Sequence, residues 1–169
     1  MPADQYELYA EFGIAAEKAQ VLELEAGNVA LLYIALIFKS EEIGHEQRKM
    51  LRSILDDCDR STLGRLLRRV KSIGEFDASI LSVVDQALEC RNYLMHRFFR
   101  THNFAILGEA GRKAMIEELK EIQCKLDRAQ TMLLGVAGTL QKLAGLDKVP
   151  DEVTKQLVLI QKQGKRVDL

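Results

Sequence analysis

Proline and cysteine are scarce in this chain, and neither sign of charge prevails. Only Pro2 and Pro150 occur, while Ala, Leu, Glu, Lys and Arg dominate the remainder. Almost the whole interior of the chain is therefore free of the residue that breaks helices. Three cysteines, Cys58, Cys90 and Cys124, lie far apart and are odd in number. They support neither a disulfide framework nor a zinc knuckle, and a reducing compartment is the simple expectation. The formal net charge is -1, so no global field draws the chain to nucleic acid or to an acidic membrane. Any contact with a polyanion has to come from a local patch.

Long hydrophobic runs are also missing. The apolar stretch Val29 to Phe38 has about half the roughly 20 residues needed to cross a bilayer. It is expected to be a helix segment buried on nearly every side, at a bundle centre or a subunit interface. The start, Met1-Pro2-Ala3-Asp4, has no basic region before an apolar stretch and does not read as a signal peptide. The expected location is the cytoplasm, with no membrane partner.

What remains is helical in pattern. No sustained period-two alternation occurs, which argues against strands. A first helix is expected from about Asp4, as N-cap, to about Phe38, with Gly13 and Gly27 marking bends or close helix contacts. A break over Lys39 to Gly44 precedes a helix over His45 to Cys58. A shorter basic helix follows Ser61 or Thr62 and ends near Lys71, with Gly74 as a stop. Asp77 caps a helix that runs to about His102, its apolar faces supplied by Ile80, Val83, Val84, Ala87, Leu88, Leu94 and Phe98. Asn103 to Gly111 is expected as a loop. A long helix then covers about Arg112 to Leu143 and ends at Gly145. Asp147 to Pro150 forms a turn, and Asp151 caps a last helix to about Gln163.

The fold class expected is all-α: an antiparallel up-and-down bundle of four main helices with one or two short accessory helices. The 169 residues suit one domain with a full core. Residues 1–148 form the bundle, and residues 149–169 add an accessory helix and a frayed tail to the same domain.

Chemistry concentrates in Arg91-Asn92-Tyr93-Leu94-Met95-His96, followed by Arg97-Phe98-Phe99. Imidazole accepts a proton near neutral pH, and guanidinium clamps phosphate with paired donors. Together they form a minimal kit for metal-free phosphodiester cleavage. Asn92 and His96 are four apart and share a helix face. Arg91 and His96 are five apart, about 140° around an ideal helix. They do not stack, but a long arginine can wrap towards the same cleft, more easily if a second copy of the helix faces the first.

This pattern, an arginine and a polar residue, then three further residues and a histidine, near the end of a bundle helix, resembles the signature of HEPN domains. Thr62-Leu63-Gly64 before the basic helix is similar as well. The resemblance covers about residues 5–145, although its specific part is short. It implies an all-α bundle acting as a homodimer, with both motifs at the seam. It also implies metal-independent RNA cleavage of toxin or defence type. In that reading His96 takes the ribose 2′-hydroxyl proton, Arg91 stabilises the phosphoryl charge and Asn92 orients the phosphate or the imidazole. No cofactor and no metal is called for. A nucleotidyltransferase-like antitoxin is the partner such proteins commonly have. Inactive family members leave a second reading open: a non-catalytic module that binds a protein partner or a nucleotide.

Arg65, Arg68, Arg69, Arg97 and Arg100 are the candidate phosphate contacts, since phosphate charge dominates nucleic-acid affinity. The competing use for the first three is a solvated face paired with Asp56, Asp57 and Asp59. Tyr93, Phe98, Phe99 and Phe104 are expected as core residues rather than stacking platforms. Glu17, Glu23 and Glu25 are expected to form structural salt bridges to the motif arginines, and His102 to sit at a helix C-terminus, where its cation favours the dipole. Glu42-Ile43-Gly44-His45 has the Glu-x-x-His spacing of a di-iron ligand pair. It lacks a second copy and reads as a turn. No Gly-rich phosphate loop, Ser-His-Asp set or His-Glu-x-x-His motif is present.

Overall fold

Two long helices carry most of the core. A computed structural model of the chain describes residues 2–40, 49 and 77–145. In it, α1 spans Ala3–Ser40. Leu8, Ala15, Ala19, Leu22, Ala26 and Val29 on α1 are all buried, at steps of three, four or seven residues that line one face. Pro2 precedes the first turn, and its carbonyl accepts from the N–H groups of Gln5 and Tyr6 at 3.1 and 3.3 Å. Asp4 therefore lies inside the first turn rather than at the cap expected for it. The helix runs unbroken through Gly13 and Gly27, and a Cβ at either would meet nothing within 4 Å. Neither glycine marks a close helix contact.

Asp77 caps α2, Ala78–His96, as expected: its carboxylate accepts the Ser79 N–H at 2.7 Å. That bond holds the Asp77 carboxyl below its ordinary value. The expected single helix to His102 is instead two pieces. Arg97 (φ -128°, ψ -27°) leaves the helical conformation, and α3 covers Phe98–Thr101. Hydrogen bonding carries across the interruption, from Arg97 N–H to the Tyr93 carbonyl and from Thr101 N–H to the Arg97 carbonyl, both at 2.8 Å. Phe98, directly after it, is wholly buried, and Phe12, Tyr93 and Phe99 pack around its ring.

The expected loop contains a 3₁₀ turn, Ala105–Leu107, and α4 starts earlier than expected, spanning Glu109–Ala144. Met115, Leu119, Ile122, Leu126, Ala129, Leu133, Ala137, Leu140 and Ala144 are buried along it. Their three- and four-residue steps, strictly alternating from Met115 to Leu133, are those of a coiled-coil seam. Gly145 (φ 68°) ends the helix in the left-handed conformation that glycine adopts without penalty, its N–H turned to the carbonyls of Gln141 and Lys142.

Cross-helix contacts set the directions. Arg112 meets Asp4, Gln123 meets Glu11 and Lys18 meets Asp127, so α1 and α4 run parallel and side by side. Tyr9 lies against Phe99 and Glu23 against Arg91, so α2 with α3 runs antiparallel to both. The fold is the expected all-α helical bundle, with no strand among the described residues. None of the described helices is long and apolar enough to cross a membrane. In the apolar stretch, Val29 and Ala30 are buried but Leu31 is 38% exposed, so the all-round burial expected of it is not met. The helices expected at His45 to Cys58, Ser61 to Lys71 and Asp151 to Gln163, and the turn before the last, lie outside the described residues.

Candidate active site

The outward face of α2 carries the motif. Val83, Val84, Ala87 and Leu94 point into the core, while Ser82, Gln86, Glu89, Asn92, Met95 and His96 are exposed. Asn92 and His96 therefore share the solvent face, as their spacing requires. His96 is the last residue of α2. It has no hydrogen bond or ion pair with another side chain among the described residues, so its ring is open to a ligand.

Arg91 lies off that face. Its Nη2 is 2.7 Å from Glu23 Oε1 on α1, with the two side chains 18% and 30% exposed. Such partial burial weakens solvent screening relative to a surface pair. Glu23 Oε1 is itself buried, and no donor meets it in hydrogen-bond alignment, the guanidinium included. The contact is thus an ion pair by proximity. Arg91 Nη1 also donates to Asn92 Oδ1 at 3.1 Å. The fold brings Glu23, Arg91 and Asn92 together, whereas His96 stands apart, exposed and with no hydrogen bond to any of them. Of the three helix-one glutamates, Glu23 makes the structural salt bridge expected, and Glu17 is exposed.

Arg97 and Arg100 are exposed beyond His96 and are unpaired among the described residues. Arg65, Arg68, Arg69 and the Glu42–His45 pair lie outside the described residues. Among the described residues no group of three His, Cys, Asp or Glu side chains is arranged to hold a metal ion.

His102 is the C-cap of α3, the helix-end position expected of it, and its side chain makes further contacts there. Its Nε2 lies 2.7 Å from Glu118 Oε2 and 3.2 Å from the Tyr93 hydroxyl, with the Phe98 ring 5.0 Å away. Burial first, then the Glu118 carboxylate, push the Tyr93 phenol up. This group fastens the end of α3 to α4. A cavity of about 280 Å3 beside it is lined by Cys90, Tyr93, Glu118 and Lys125, among others. Burial pushes the Cys90 thiol up, which is the opposite of what an activated nucleophile needs.

A second buried pair escaped sequence reasoning. Arg112 is a buried cation of the core; its Nε is 2.5 Å from Asp4 Oδ2, and its Nη1 donates to the Ile106 carbonyl at 3.0 Å. One guanidinium so ties the first turns of α1 and α4 to the 3₁₀ turn. Phe104 corrects another expectation: it is 80% exposed rather than in the core, and Leu107 is 77% exposed. Phe98 is buried as expected, while Tyr93 and Phe99 are partly buried against the core.

No protein-family model, curated protein or solved structure matches this chain. The likeness to HEPN domains rests on the motif residues themselves.

Proposed function

We propose that this protein is a metal-independent endoribonuclease of toxin or defence type, acting as a homodimer in the cytoplasm. The observation that carries the reading is the exposed His96 ring at the end of α2, unpartnered among the described residues, on one face with Asn92 and about one turn beyond an arginine held by Glu23. His96 removes the proton of a ribose 2′-hydroxyl, and that oxygen attacks the adjacent phosphorus. The 5′-oxygen departs and is protonated, leaving a 2′,3′-cyclic phosphate. General-base help of this kind is worth about 10²–10⁴-fold. Arg91 stabilises the charge growing on the phosphoryl oxygens, Asn92 orients the phosphate, and Arg97 and Arg100 contact flanking phosphates. Within one chain no contact joins Arg91 to His96, so a second copy, presenting its own motif across a two-fold seam, completes the site. A nucleotidyltransferase-like antitoxin fits this reading as the neutralising partner.

The competing reading, a non-catalytic module for a protein or nucleotide, draws on the Glu23 contact, which already neutralises Arg91. Expression separates the two. Wild type is expected to arrest growth and degrade cellular RNA, and His96→Ala and Arg91→Ala to relieve both. Intact RNA and unimpaired growth with wild type favour the binding module.

A further inference from the structure

The segment Cys90 to Gly108 contains no Asp or Glu; Glu23 pairs its Arg91, but Arg97 and Arg100 are exposed and unpaired among the described residues. In a chain with 25 acidic residues and a net charge of -1, this is a local cationic patch of the kind a polyanion requires. Glu109, the first acid after it, is engaged by Lys113 at 2.7 Å. At the far end of the patch stands Phe104, at 80% the most exposed large apolar side chain among the described residues.

That exposure is built in. The 3₁₀ turn behind Phe104 is fixed by the Arg112 bond to the Ile106 carbonyl, and Arg112 is anchored in turn by Asp4. The turn also packs so tightly on α4 that a Cβ at Gly111 would lie 2.1 Å from the Ala105 carbonyl oxygen. Ala105 and Ile106 face the core, which leaves Phe104 and Leu107 on either side of them outward. Arg100 and Phe104 are four residues apart, no more than about 14 Å between Cα atoms. An aromatic ring beside exposed cations is the pattern by which proteins hold unpaired nucleic acid. The cations track the backbone, and the ring takes a base face that a duplex keeps stacked.

We propose that Phe104, in one acid-free segment with the exposed Arg97 and Arg100, is a base-stacking platform that selects single-stranded RNA for the His96 site. This rests on the ribonuclease reading and adds its substrate class. The test uses the full chain and a short fluorescent 2′-O-methyl oligouridine, which binds but lacks the attacking hydroxyl, so binding is measured apart from cleavage. Wild type is expected to bind it in preference to a duplex of the same length. Phe104→Ala weakens binding about tenfold, and Phe104→Trp restores it. Arg97→Ala with Arg100→Ala lowers the slope of log affinity against log salt by about 0.7 per lost phosphate contact, while His96→Ala leaves binding unchanged. Unaltered affinity in Phe104→Ala, or equal affinity for the duplex, overturns the platform. So does a fall in molar mass by light scattering without a change in affinity, which would make the patch a contact between copies. Phe104-dependent binding without cleavage of unmodified RNA would sink the nuclease and leave the platform. Cleavage indifferent to Phe104 would do the reverse.

Discussion

Arg112 buries a guanidinium that only Asp4 and one carbonyl satisfy. The hydrogen bond from Arg112 holds the Asp4 carboxyl below its ordinary value. A carboxyl depressed by folding adds stability that is present above its unfolded pKa and is lost as pH falls through the folded one. Thermal unfolding followed below about pH 4 is therefore expected to show a falling midpoint that Asp4→Asn flattens. An equally steep fall in the variant would contradict the pairing. Glu23 poses the corresponding question for function. With Glu23→Ala the Arg91 guanidinium loses its fixed position, and displacement of a catalytic group costs up to about 100-fold in rate. RNA cleavage, measured at a temperature where the variant stays folded, is expected to drop, and a rate equal to wild type would show that Glu23 does not position Arg91. Neither contact was legible in the sequence in detail. Asp4 and Arg112 are 108 positions apart, and an acid in a first turn reads as a cap. The Glu23 contact was anticipated only as a salt bridge from one of three glutamates.

Two helix ends were legible outright. Asp77 and Gly145 act through their own local chemistry, a carboxylate on a free N–H and a residue without Cβ, so sequence alone locates them. The apolar spacing across α2 and α3 likewise picks out the buried Val83, Val84, Ala87, Leu94 and Phe98. The interruption at Arg97 was not visible, because Leu94 and Phe98 keep ordinary helical spacing through it. Phe104 was misplaced because aromatic character argues for burial, while the turn that holds it outward depends on Gly111 and Arg112 downstream. Two substitutions test these elements by chemical denaturation. Gly111→Ala forces a methyl group onto the Ala105 carbonyl and is expected to cost about 1–3 kcal/mol, as overpacking does. Phe98→Ala empties the centre of the aromatic cluster at the α2–α3 junction and is expected to cost about 3–5 kcal/mol. A neutral result for Gly111→Ala would mean that the turn is free to move, and with it Phe104.

At the scale of the whole molecule, the described residues present an exposed imidazole, His96, at the end of a helix whose other face is locked into the core between α1 and α4. Fold class was readable because periodicity and composition agree throughout the described helices. The site was readable only as a list, since Arg91 and His96 share a helix yet face different surroundings, one against Glu23 and one in solvent. Their cooperation on RNA is the central claim, and its chemistry leaves a distinctive mark. The most direct measurement is mass spectrometry of RNA ends after incubation with the purified full chain in excess EDTA. Wild type is expected to leave 2′,3′-cyclic phosphate and 5′-hydroxyl ends, and His96→Ala to slow their formation by about 10²–10⁴-fold. Intact RNA with wild type, or the same ends at the same rate with His96→Ala, would contradict it.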